Sequence, residues 1–65
     1  MLKINGEARE VPEGTTLAGL LAQMKLESER VAVEVNAQVV RRARHAEQLL
    51  AAGDQIEIVT FVGGG

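Results

Sequence analysis

The sequence predicts an α+β fold, a mixed four- to five-stranded sheet with one main helix, a short second helix and a flexible glycine tail. Three observations point there. Apolar residues alternate with period two at Leu2/Ile4, at Val31/Val33/Val35 and at Ile56/Ile58, as in half-buried strands. Between the first two sets, Leu17, Leu20, Leu21 and Met24 recur at i, i+3, i+4 and i+7, one apolar helical stripe. Finally, 65 residues allow a single domain, since a chain of this size buries only about 60% of its unfolded surface.

The elements follow in order. Met1 to Asn5 alternates, and Asn5-Gly6 then supplies the two positive-φ residues of a type I′ hairpin turn. A returning strand is expected from about Glu7 to Val11. A two-residue hairpin sets Ile4 opposite Glu7 and Leu2 opposite Arg9, with Val11 as that strand's core residue. A bulge at Gly6 would alter this register. Pro12-Glu13-Gly14 breaks the strand, and Thr15 or Thr16 can cap the helix by accepting orphan N–H bonds. Gly19, inside the helix, costs roughly 1 kcal/mol relative to alanine. Close packing or tolerance in the first turn would each explain it.

Leu26 ends the stripe, and Glu27 to Arg30 reads as a polar loop. Val31 to Asn36 is the clearest strand, with Val39-Val40 as a short extended piece after it. A second helix is expected from Ala43 to Ala52, anchored by Leu49 and Leu50 and ended by Gly53-Asp54. The last strand runs from Gln55 to about Val62. Gly63-Gly64-Gly65 has no side chain to pack and is expected to be mobile, so residues 1–62 form the domain and 63–65 its tail. A hairpin, a crossover helix, further strands and a last strand beside the first make the β-grasp, or ubiquitin-like, plan.

Composition excludes several functions. Residues of the hydrophobic class make up 46% of the chain, but Phe61 is the only aromatic, so the core must be aliphatic. A net charge of −2 and a single ring give neither the basic surface nor the stacking platform that nucleic acids require. No apolar run approaches the ~20 residues needed to span a bilayer. The N-terminus has no signal-peptide pattern, and a cytoplasmic monomer without a bound cofactor is expected. With no cysteine there is no thiolate nucleophile, disulfide or thiolate metal site.

The candidates for chemistry are few. His45 is an acid/base by type, but Arg42, Arg44 and Glu47 around it favour a solvated surface histidine. Thr15 and Thr16 read as caps, Glu27, Glu29 and Glu34 as solvated carboxylates, and Gly53-Asp54 as a turn. The glycines follow neither phosphate-binding nor dinucleotide-binding spacing. What remains is the carboxylate of Gly65, at the end of three residues without Cβ atoms. Such a tail suits threading into a partner enzyme's narrow channel. The carboxylate is ionised at neutral pH, with an ordinary pKa of about 3.5, and is inert as an acyl donor until its oxygen is made a leaving group. Adenylylation by ATP would do that.

The chain resembles the ThiS family, the bacterial sulfur carriers of thiamine thiazole biosynthesis. The resemblance rests on the Asn5-Gly6 hairpin, on Val11-Pro12-Glu13-Gly14-Thr15-Thr16-Leu17 and on Val33-Glu34-Val35-Asn36. It continues through Gly53-Asp54-Gln55-Ile56-Glu57-Ile58 to Phe61-Val62-Gly63-Gly64-Gly65. Gly19 departs from the acidic or polar helix residue expected there. The resemblance implies a carrier and not an enzyme, with Gly64-Gly65 as its functional end. A ThiF-like adenylyltransferase would activate Gly65 with ATP and magnesium. Sulfur from a persulfide donor of the cysteine desulfurase type would then make a thiocarboxylate for a ThiG-like thiazole synthase.

The partner surface can be read independently. If Ile56 and Ile58 face the helix, Val59 and Phe61 face the open side, just before the tail. Exposed aromatics often anchor interfaces; the other reading is that Phe61 folds over the sheet edge into the core. Arg41, Arg42 and Arg44 form either a patch for an acidic partner or a solvated end. Rival functions are other ubiquitin-like sulfur carriers, for molybdopterin synthase, cysteine synthesis or tRNA thiolation. A TGS-like β-grasp binding module is a rival of another class, without a free Gly-Gly end.

Overall fold

A computed structural model describes residues 1–61. Five strands form one mixed sheet in the order β2-β1-β5-β3-β4. These are β1 (Leu2–Ile4), β2 (Glu7–Arg9), β3 (Val31–Val35), β4 (Gln38–Val40) and β5 (Gln55–Thr60), with the helix α1 (Leu17–Gln23) between β2 and β3. The β1–β5 pair is parallel and the other three pairs are antiparallel. This is the β-grasp arrangement, with the last strand central and the helix across one face.

The alternation in the sequence sets which face is covered. Leu2, Ile4, Val31, Val33, Val35, Ile56 and Ile58 are buried, and their strand neighbours on the other face are exposed. Leu17, Leu20 and Leu21 of α1 and Leu50 complete the core, with Val11, Met24, Leu26 and Val40 packed at its margin. Burying a large aliphatic side chain contributes roughly 1.5–3 kcal/mol, which makes these eleven residues the source of the fold's stability.

The first hairpin has the expected two-residue register, Ile4↔Glu7 and Leu2↔Arg9, with no bulge. Asn5 and Gly6 adopt φ of 50° and 85°, which Asn and Gly tolerate best. The returning strand is shorter than expected. It ends at Arg9, and Val11 is half-buried against the core after the strand has stopped. Pairing needs a facing strand, and β1 supplies only three residues. The β3–β4 hairpin turns through Asn36 and Ala37 at φ of 52° and 68°, the same turn without its glycine.

Helix α1 is capped by Thr16, whose hydroxyl accepts from the Gly19 N–H at 3.1 Å. Thr15 instead donates its hydroxyl to the Pro12 carbonyl at 2.6 Å. A Cβ on Gly19 would approach Thr16 Oγ1 at 3.4 Å and Thr15 Cγ2 at 3.7 Å, ordinary contacts. Gly19 is therefore tolerated in the first turn; no close packing requires it.

The second helix expected over Ala43 to Ala52 does not form. Arg42–Arg44 makes a single 3₁₀ turn, and the chain then runs to an isolated antiparallel bridge between Leu49 and Thr16. Leu49 and Leu50 point to opposite sides, the first 63% exposed and the second 8%. Two consecutive residues point to opposite faces in extended chain, whereas on a helix they lie only about 100° apart. The segment also satisfies the helix start. The Leu17 N–H donates to the Gln48 carbonyl at 2.8 Å, and that of Ala18 donates to His45 at 2.9 Å. These are orphan donors of the first turn, which any helix must satisfy from outside. Tertiary demand for acceptors thus overrides the local pattern.

Candidate partner-docking site

The reading of His45 as a solvated surface residue is overturned. It is 2% exposed, with Nδ1 3.0 Å from Ser28 Oγ and Nε2 3.0 Å from the Val40 carbonyl. A carbonyl only accepts, so Nε2 donates to Val40, while Nδ1 shares a hydrogen bond with the Ser28 hydroxyl, which can donate or accept. Both nitrogens are occupied in joining β4 to the Ser28–Arg30 turn, which leaves neither for acid/base work. The local composition misled, because three charged neighbours in sequence all point outward while the ring points in.

The other chemical candidates are also structural. Thr15 and Thr16 serve the helix start. Asp54 accepts from the Ala51 N–H at 2.8 Å and from Asn36 Nδ2 at 3.0 Å, closing a turn. Glu27 and Arg30 form an exposed pair, as do Arg44 and Glu47; such pairs are worth about 0–1 kcal/mol. Arg41 and Arg42 are exposed. Among the described residues no three His, Asp or Glu side chains assemble a metal site, and no helix is long and apolar enough to cross a membrane.

What stands out is β5. Its even residues Ile56 and Ile58 are 1% and 7% exposed, while Val59 and Phe61 on the other face are 61% and 56% exposed. Phe61 does not fold into the core. Its N–H donates to the Arg30 carbonyl at 2.9 Å, which keeps its backbone in register with β3 one residue past the strand. Across the open face Val59 lies opposite Ala32, and Glu57 opposite Glu34, with Val39 beyond it on β4. Two carboxylates directly opposed on a sheet are destabilising, and Val39 is 73% exposed. The face therefore carries apolar and acidic groups that contribute little to folding. A shallow depression in it is lined by Lys3, Asn5, Asn36, Glu57 and Val59.

Two asparagines missed in the sequence finish the edges of β5. The Asn5 side chain accepts from the Ile58 N–H at 2.8 Å and donates to its carbonyl at 3.2 Å. Asn36 Oδ1 accepts from the Gln55 N–H at 3.0 Å. Asn5-Gly6 signals a turn, but nothing in it says that the amide will reach a strand 53 residues away. Residues 63–65, the expected tail, lie outside the described residues.

Fold and site define a class, a small ubiquitin-like β-grasp protein whose last strand is followed directly by an exposed aromatic and, in sequence, by three glycines. The chain belongs to the ThiS family, which it matches over residues 2–65. It is 42% identical over 66 aligned residues to the sulfur carrier protein ThiS of Bacillus subtilis, covering 100% of both chains. It is also 45% identical over 64 residues to a thiazole synthase of Magnetococcus marinus, covering 98% of this chain but only 20% of that one. A second thiazole synthase, from Paramagnetospirillum magneticum, is matched over the same 20% share, so the chain spans one fifth of these relatives. Among solved structures, the crystal structure of a thiamine biosynthesis protein (ThiS) from Geobacter metallireducens superposes with a TM-score of 0.82 at 33% identity. The match covers 98% of this chain and 97% of that one.

Proposed function

We propose that this protein is a sulfur carrier for thiazole formation in thiamine biosynthesis, with the carboxylate of Gly65 as the carrying group. The observation that carries this reading is the match to the Bacillus subtilis sulfur carrier over all of both chains, joined to the Gly63-Gly64-Gly65 end. In the first step, the Gly65 carboxylate attacks the α-phosphate of ATP on a ThiF-like adenylyltransferase with magnesium. Pyrophosphate leaves, and an acyl-adenylate remains. In the second, the terminal sulfur of a persulfide attacks the acyl carbon and AMP departs. A second thiol then cleaves the acyl disulfide by forming a disulfide with the sulfur donor, and the thiocarboxylate is released. A thiazole synthase accepts that sulfur. The thiazole synthases that contain a segment like this chain support such an acceptor.

The protein's own contribution is recognition. Val59 and Phe61 would anchor the activating enzyme, while the glycines, free of Cβ atoms, thread its channel. His45, Thr15 and Thr16 are all committed to the scaffold, in keeping with a carrier that supplies no catalytic side chain.

The test is mass spectrometry of the chain after incubation with a ThiF-like enzyme, ATP, magnesium and a persulfide donor. The expected product is heavier by the difference between sulfur and oxygen, with the change confined to the C-terminal fragment. Deletion of Gly65 should abolish it. No mass change with a competent activating enzyme would overturn the carrier reading.

A further inference from the structure

The hydrogen-bond alternation along β5 leaves one position open. Odd residues of β5 turn their backbone groups toward β3, as in the Gln55 carbonyl accepting from Asn36 at 2.7 Å and the Phe61 N–H donating to Arg30. Even positions turn toward β1. The Asp54 carbonyl accepts from the Lys3 N–H at 2.9 Å, and that of Ile56 accepts from Asn5 at 2.8 Å. At Ile58 the β1 backbone has already entered its turn, and the Asn5 amide takes both Ile58 groups instead. Asn5 has no third arm for the next position. Thr60 therefore presents its N–H and carbonyl sideways with no partner among the described residues. It is exposed, and its sequence neighbours are the exposed Val59 and Phe61.

We infer that Thr60 is a strand-addition site, at which an extended segment of the thiazole synthase partner pairs with β5 in line with β1. This deepens the carrier reading and rests on it. An unpaired N–H and C=O on one residue is the repeating unit that an added strand recognises. The site differs from the outer edges of β2 and β4, because it lies on the central strand, close in sequence to the glycines. A segment laid there is flanked on the open face by Val59 and Phe61. The partner segment should thus carry apolar side chains at alternate positions, those that fall beside these two. A ladder begun at Thr60 would hold the carrier's last residues in a defined direction, and so aim the terminal group. In this account Asn5 is a positioning residue, since it ends the β1 pairing one step short of Thr60.

Hydrogen exchange and two substitutions test the proposal. In the free protein the Thr60 amide should exchange fast and that of Ile58 slowly. With purified thiazole synthase added, Thr60 should become protected. Thr60→Pro removes the donor and places ring carbons in the added strand's path, yet breaks no internal bond of the sheet. It should weaken binding about tenfold or more, while Thr60→Val, which keeps the donor, stays within about twofold. If Thr60→Pro fails to fold, protection of Thr60 in the unsubstituted complex decides alone. Binding with an unprotected Thr60 overturns the strand addition and leaves the carrier reading intact. Absence of any binding by the unsubstituted chain overturns the thiazole synthase step of the carrier reading, and this inference with it. Protection that grows with the carrier's own concentration, without thiazole synthase, would assign the edge to a second copy and overturn the partner named here.

Discussion

Ile58 and Val59 are adjacent in β5, yet one is 7% and the other 61% exposed. The strand's two faces do different work. The even face, Ile56 and Ile58, closes on α1 and holds the sheet; the odd face, Glu57, Val59 and Phe61, is left to water. Both are rich in β-branched or apolar residues, so hydrophobicity alone does not separate them. Only the covering helix does. The odd face of β5 combines two exposed apolar residues with a carboxylate opposed to another, groups that stability would not select.

This contrast can be broken at either face. The largest effect is expected from Ile56→Ala, which should cost about 2–5 kcal/mol by denaturant unfolding. For a domain this small that is most of the stability, and partner binding should fall only as the folded fraction falls. His45→Ala is the polar counterpart on the buried side. Loss of its bonds to Ser28 and Val40 should cost about 1–3 kcal/mol, read as a lower thermal midpoint, with thiocarboxylate formation unchanged in the folded protein. On the open face the pattern should invert. Phe61→Ala should move stability by no more than about 0.5 kcal/mol yet weaken binding to the activating enzyme about tenfold. A large stability loss with unchanged affinity would erase the difference between the two faces. The smallest effect is expected from Glu57→Gln, which relieves the repulsion with Glu34 and should stabilise by roughly 0.2–1 kcal/mol. Its measured sign sharpens the claim that this face is not arranged for folding.

How much was legible beforehand varies by element and for physical reasons. β1, β3 and β5 were readable because period-two alternation records a half-buried strand directly. The Asn5-Gly6 turn was readable because few residue pairs accept positive φ twice; Asn36-Ala37, which makes the same turn, carries no glycine to announce it. The helix over Ala43 to Ala52 was misread because short-range composition says nothing of the acceptors that α1 needs at its start. His45 was misread for a related cause: burial depends on where the chain crosses, and its charged neighbours reveal only their own preference for water. Val59 and Phe61 could be assigned to the open face once the register of β5 was known, but whether Phe61 turned back into the core could not.

By itself, then, the sequence determined the class of fold, the faces of its main strands and the aliphatic core. These are local or periodic properties, written in side chains a few residues apart. Tertiary structure alone decided that 45–50 would feed the helix start, that His45 would be a buried pin, and that Asn5 would close β5 at Ile58. It also left the Thr60 backbone groups without a partner among the described residues. Each of these depends on which backbone group meets which across tens of residues, and a hydrogen bond's partner is set by geometry in space, which spacing along the chain does not encode.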